Sequence, residues 1–147
     1  MKLLITGLFS LILLVSAMVP TTKDATGTWK TIDDETGKPK SIVKLYKQDG
    51  KLYGKIIKLF REPGEEQDPI CDLCEGANHN KKIIGMVIVN GLEYDDGEWE
   101  GDDGILDPKN GKLYDCKIWV DEDDDDILNV RGYIGFFFRT QTWHRVN

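Results

Sequence analysis

The chain is poor in the residues that build most catalytic centres. Of its 147 residues only two are histidine, His79 and His144, and three are serine, Ser10, Ser16 and Ser41. Two of those serines fall in an apolar N-terminal stretch, and nothing nominates Ser41 as a nucleophile beside either histidine. No glycine cluster opens a helix, which excludes a Gly-rich phosphate loop. Basic residues are outnumbered, 19 against 26 acidic, and they do not cluster. That argues against nucleic acid as a partner, because a phosphate backbone needs a concentrated basic face. No sustained apolar period of 3.6 appears after the first 17 residues, which excludes a helical bundle.

What is present begins with a leader. Lys2 precedes an apolar stretch over 3–15, and Val15-Ser16-Ala17 is a small-residue cleavage site. This is the pattern of a secretory signal peptide. The apolar stretch is shorter than the roughly 20 residues that span a bilayer, and no cysteine at the cleavage site offers a lipid attachment point. The expected organisation is a signal peptide over 1–17, a short leader over 18–26, and one domain over 27–147. Cleavage removes one positive charge and no acid, taking the formal charge from −7 to −8. The plain reading of that acidity is solubility. The expected location is the periplasm or the medium, with no transmembrane anchor after cleavage.

Beyond residue 26 the chain reads as strands and turns. Segments rich in Val, Ile, Thr, Tyr, Trp and Phe alternate with Gly, Asp, Asn and Pro. Strands are expected over 27–33, 41–47, 51–61, 83–89, 99–106, 112–120, 127–133 and 140–146, with 90–98 ambiguous and turn-rich. Asp49-Gly50 is a two-residue hairpin signal, and Asp107-Pro108-Lys109-Asn110-Gly111 is a strong turn. Short links favour antiparallel neighbours. An all-β, antiparallel up-and-down barrel of about eight strands is expected, because closure removes exposed sheet edges. Asp49-Gly50-Lys51-Leu52-Tyr53 echoes Asn110-Gly111-Lys112-Leu113-Tyr114, which the reuse of one good turn chemistry explains.

Three cysteines, Cys71, Cys74 and Cys116, are the sharpest chemical signal. Three readings compete. One is a disulfide, within Cys71-Asp72-Leu73-Cys74 or from either member to Cys116, as suits an oxidising compartment. The second is a metal site completed by His79 and Asp68, although a second C-x-x-C is missing. The third is a redox pair, which normally needs a helix N-terminus that this loop does not offer. No complete metal-ligand set and no cofactor motif is evident, so neither is expected. The run Asp121-Glu122-Asp123-Asp124-Asp125-Asp126 lacks the spacing of a calcium loop and reads as a solvated hairpin tip. Asp107 or Glu100 is the candidate base if the domain is a hydrolase or isomerase, but turn formation already explains Asp107.

Aromatic residues lie on the expected strands. A barrel of eight strands is just wide enough for its own side chains to fill, and a filled interior is the expectation. The binding alternative places a small apolar ligand, or an envelope partner protein, against Trp29, Tyr53, Trp99, Tyr114, Arg131, Tyr133 and Trp143, with Arg131 or Gln141 orienting it. Phe136, Phe137 and Phe138 are consecutive, so at least one must face outward or sit in a bend.

Several motifs follow one another in order: Gly27-x-Trp29, Leu52-Tyr53-Gly54-Lys55-Ile56, Cys71-x-x-Cys74, Gly85-Met86-x-Ile88, Ile105-x-Asp107-Pro108-x-x-Gly111-Lys112-x-Tyr114, Val130-Arg131-Gly132-Tyr133 and Thr140-Gln141-x-Trp143-x-Arg145. Together they resemble the DUF2147 family of exported bacterial proteins of unknown function. The resemblance implies an exported β-barrel with a lipocalin-like form and brings no reaction, ligand or catalytic residue with it. The Gly27-x-Trp29 start and a late-strand arginine also resemble lipocalins, where that Trp packs under an Arg and closes the barrel base. Arg131, Arg139 and Arg145 are the candidates for that arginine.

Overall fold

Period-two alternation of apolar and polar side chains, broken by turns that few residues other than Gly, Asn and Asp adopt, leaves this chain one economical structure. In a computed structural model, which describes residues 22–147, eight long strands and two short ones form: β1 (Gly27–Ile32), β2 (Pro39–Gln48), β3 (Lys51–Leu59), β4 (Ile70–Cys71), β5 (Lys81–Lys82), β6 (Val87–Asp95), β7 (Glu98–Asp107), β8 (Lys112–Val120), β9 (Ile127–Ile134) and β10 (Phe137–Arg145). The long strands close an antiparallel barrel in the order β1-β10-β9-β8-β7-β6-β3-β2, and β4 pairs with β5 as a separate ribbon. The expected eight-stranded barrel is what forms. The signal-peptide segment, 1–17, lies outside the described residues. Among those residues no helix is long and apolar enough to cross a membrane.

Two Asp-Gly turns set the register at one end. Asp49 and Gly50 have φ of 51° and 75°, and Asp96 and Gly97 have 42° and 93°. Such turns match the right-handed twist of the strands they join. The second of them resolves the ambiguous stretch 90–98. The strand expected over 83–89 begins later, at Val87, and continues to Asp95. Gly85 (φ 92°) breaks the chain before it and Gly91 (φ 69°) is absorbed within it, so the local turn signal lost to strand pairing.

The meander gives the barrel two unlike ends. At one end lie the turns 49–50, 96–97 and 121–126 and the start of β1. At the other lie the β1–β2 loop, the long connection 60–86, and the turns 108–111 and 135–136. Trp29, Val43, Leu45, Leu52, Val89, Leu92, Ile118, Leu128 and Trp143 are almost fully buried and fill the interior. Gly54 permits this packing. A Cβ there would stand 2.5 Å from a Leu45 methyl and 3.1 Å from Val89.

Candidate functional site

One end of the barrel is shut. Trp29 donates its indole N–H to the Ala25 carbonyl at 2.9 Å. The Arg145 guanidinium lies over the Trp29 ring, 4.1 Å from its centroid. Arg145 also donates to the carbonyls of Thr26 (3.0 Å), Asp24 (3.1 Å) and Asp125 (3.1 Å). Of the three candidate arginines, Arg145 is therefore the one that caps the tryptophan. The acidic turn is tied to the same closure, because Lys23 donates to the carbonyls of Asp121 and Glu122 and pairs with Asp125 at 2.9 Å. The hairpin tip is exposed but clamped.

The other end is open. A cavity of about 370 Å³ sits there, walled by Ile56, Ile88, Ile105, Val130, Phe137 and Trp143, among others. The interior is thus filled in its closed half and hollow in its open half. Eight of the nineteen lining residues carry polar or charged side chains, and most of these are held. Thr31 and Ser41 share a hydroxyl–hydroxyl bond of 2.7 Å, and either can donate. Asn110 donates to the Tyr114 hydroxyl at 2.8 Å. Trp143 Nε1 donates to Gln141 Oε1 at 3.4 Å, Gln141 Nε2 donates to Asp34 at 2.8 Å, and Arg139 pairs with Asp34 at 3.2 Å. This relay runs from the cavity wall to its rim. Lys40 also lines the cavity and makes no ion pair among the described residues.

Of the residues singled out from the sequence, Tyr114, Trp143, Gln141 and the candidate base Asp107 line this cavity. Trp29 belongs to the closed end. Trp99, 6% exposed, packs there against Tyr94, with the Lys47 ammonium 5.4 Å from its ring. Tyr53 stacks on Tyr46 on the face of β3 opposite the buried Leu52 and Gly54. Arg131 lies between Trp119 (5.1 Å) and Phe138 (4.5 Å), donates to Thr140 at 2.8 Å, and shares that outer face with Tyr133, whose ring is 6.0 Å from Phe138. Lys40, Arg139 and Phe137 were missed as lining residues. Strand alternation was a usable signal, since positions 137, 139 and 141 share a face with Trp143.

Cys71 and Cys74 form a disulfide, and Cys116 is free and buried. Burial, and secondarily the Asp115 charge, push the Cys116 thiol up to about 12, so it carries no thiolate at neutral pH. His79 does not approach the sulfurs as a ligand. Its Nδ1 is 2.9 Å from the Cys74 carbonyl and its Nε2 is 3.1 Å from Asn80 Nδ2. Among the described residues no group of three or more His, Cys, Asp or Glu side chains converges on a point. The disulfide loop packs on the turn 107–111, with Cys71 Sγ 3.4 Å from the Pro108 carbonyl. Both candidate bases are already engaged, Asp107 in the cavity wall and Glu100 away from it. The Asp107 carboxylate accepts the Lys109 N–H at 3.0 Å inside its turn. Glu100 and Glu98 both grip Lys117, at 3.0 and 2.9 Å, and raise its pKa.

The barrel is similar in fold to a solved Helicobacter pylori protein described as belonging to the lipocalin family. The TM-score is 0.69 at 20% identity, over 86% of this chain and 85% of that one. No curated protein matches the chain significantly. The family profile described as "Uncharacterized protein conserved in bacteria (DUF2147)" matches residues 27–145. That span takes in both the Trp29–Arg145 closure and the whole cavity wall, and the chain belongs to the DUF2147 family.

Proposed function

We propose that this is an exported, non-enzymatic barrel that takes a small, mostly apolar molecule into the cavity at its open end. The observation that carries this reading is the cavity itself. Its volume of about 370 Å³ falls in the range of small-molecule sites, about 300–1,000 Å³. Eleven of its nineteen lining residues are apolar, and most of the polar ones are held by hydrogen bonds or ion pairs, a pattern that holds an apolar body and orients a polar tip. Export rests on the leader pattern over 1–17 and on the Cys71–Cys74 disulfide, which persists in oxidising compartments. The finding of a processed protein beginning near Met18 in the periplasm or medium tests that part.

Gly132 supplies the test of the cavity. It lines the space, its backbone is ordinary strand, and the nearest atom to an added Cβ is 3.9 Å away in Tyr114. Gly132→Val therefore fills the cavity without forcing the barrel. Single-chain amphiphiles of graded length are titrated against tryptophan fluorescence, with Trp143 as the reporter in the wall. The expected result is saturable binding by the wild type, lost by tenfold or more in Gly132→Val at unchanged melting temperature. Equal titration curves for the two proteins, or no binding across the series, overturn the proposal.

A further inference from the structure

One wall of the cavity carries a buried polar pair. Thr31 on β1 and Ser41 on β2 are partners across the ladder, one inward layer nearer the open end than Trp29 and Val43. Trp29 and Val43 are fully buried, so the pair stands where the filled half of the barrel gives way to the hollow half. Among the described residues Thr31 and Ser41 are the buried polar side chains, each 5% exposed, and both line the cavity. Their hydroxyls share one bond of 2.7 Å, and Thr31 Oγ1 also accepts the Ser41 N–H at 3.1 Å. The shared bond spends one of the two hydroxyl protons. Beyond it the Thr31 hydroxyl meets only the Ser41 carbonyl, at 3.5 Å, which is longer than an ordinary O–H···O bond. Whichever hydroxyl donates to the other, the pair keeps one proton to give and two lone pairs to receive.

We infer that the molecule held in this cavity carries an uncharged oxygen, a hydroxyl or a carbonyl, that bonds to the Thr31–Ser41 pair. The selection presupposes that the cavity takes a mostly apolar molecule, and it adds which head group that molecule bears. Charge decides between the heads. Ile88 on β6 and Ile105 on β7 stand across the barrel from β1 and β2. A formal charge beside the pair would therefore lack a counter-ion, and a buried unpaired charge is far costlier than a buried hydroxyl. The charged side chains of the wall do not supply one. Arg139 is neutralised by Asp34 at 3.2 Å. The Asp107 carboxylate accepts the Lys109 N–H on the β7–β8 side. Lys40 is exposed, close enough to Asp33 to help hold that carboxyl low. An uncharged oxygen accepts the spare proton without any of these costs, and a hydroxyl also returns a proton to a free lone pair. The apolar body then lies against Ile56, Ile88 and Ile105.

The test is a titration of the full chain, read by tryptophan fluorescence, with ten-carbon probes that differ in their heads: 1-decanol, 2-decanone, decanoate, decylammonium and headless butylbenzene. At neutral pH the carboxylate and the ammonium are charged. The alcohol and the ketone are expected to bind saturably and about tenfold or more tightly than either ion. Thr31→Val/Ser41→Ala is expected to lose about five- to tenfold in affinity for 1-decanol, while its binding of butylbenzene shows that the barrel keeps its cavity. Thr31→Ser retains both hydroxyls and is expected to retain the preference. If the double variant does not fold, the wild-type series still decides. The inference is overturned if either ion binds as tightly as the alcohol, or if the folded double variant binds 1-decanol like the wild type. It is also overturned if decanoate binds tightest and loses that advantage in Lys40→Gln, which would make the mouth an anion site. Binding of butylbenzene with no preference among heads ends the head-group assignment and leaves the cavity reading standing, whereas no binding by any probe ends both.

Discussion

Replacement of Arg145 measures how much of this barrel's stability rests on the closure of its base. Four kinds of interaction end on that side chain: the stack on Trp29 at 4.1 Å, three carbonyl hydrogen bonds of 3.0–3.1 Å, an ion pair with Asp126 at 3.5 Å, and the packing of its stem. The side chain is 22% exposed, so the stack is worth about 1–2 kcal/mol. Charged donors to backbone carbonyls add about 1–2 kcal/mol together once solvent access is allowed for. The ion pair adds little, because Asp126 is well exposed and surface pairs contribute about 0–1 kcal/mol. Arg145→Ala is therefore expected to cost about 3 kcal/mol. Urea unfolding followed by circular dichroism reads this directly. With a slope of about 2 kcal/mol per molar, ordinary for small domains, the midpoint falls by about 1.5 M. Arg145→Lys keeps a cation near the ring but loses the planar fork, and it is expected to fall about half as far. An alanine midpoint within about 0.3 M of wild type would refute the closure argument, and full rescue by lysine would show that charge alone suffices.

Two further outcomes follow from the loops. Gly111 has φ of 71°, and a Cβ there would stand 1.9 Å from the Leu73 carbonyl oxygen, which is backbone and cannot rotate away. Gly111→Ala is expected to cost about 2 kcal/mol or more and to speed reduction of the Cys71–Cys74 disulfide, whereas Gly97→Ala, at φ 93° with open space around it, costs only the conformational strain of about 1 kcal/mol; equal melting temperatures for the two variants would contradict this. Acid stability follows from four carboxylates held below their ordinary range, Asp24 chiefly by the Thr26 N–H, Asp33 chiefly by the Thr36 N–H, Asp121 chiefly by the Asp123 N–H and Glu93 chiefly by the Lys51 ammonium. The unfolded chain binds more protons than the folded one as pH falls below about 4, so their stabilisation is complete above that range and is lost on acidification; a melting temperature that is flat from pH 5 to 3 would refute it.

Much of the architecture was legible because it depends on local chemistry. Asp49-Gly50 reads as a tight turn wherever it lies, and the strand expected over 112–120 has the bounds observed for β8. The site was less legible because alternation fixes faces only relative to one another. The two echoing segments show why. Leu52 is buried and Tyr53 faces away from the interior, whereas Leu113 is exposed and Tyr114 lines the cavity. The same five-residue pattern starts at opposite ends of the barrel, shifted by one position relative to the core. Register irregularities in β2, β3, β6 and β7 reset the phase again, and no single residue announces them.

The sequence by itself determined that this chain makes antiparallel ribbons and where most of them turn, while the arginine over Trp29 came only from the resemblance to lipocalins. Period-two hydrophobicity and left-handed turn residues act over a few positions, and those preferences survive in any context. Only the tertiary structure chose Arg145 over Arg131 and Arg139, paired Cys71 with Cys74 while burying Cys116, and left one half of the barrel hollow. Each of those outcomes depends on which strands meet across the barrel and how many side chains reach its axis at a given level, quantities that barrel closure sets for all eight strands at once.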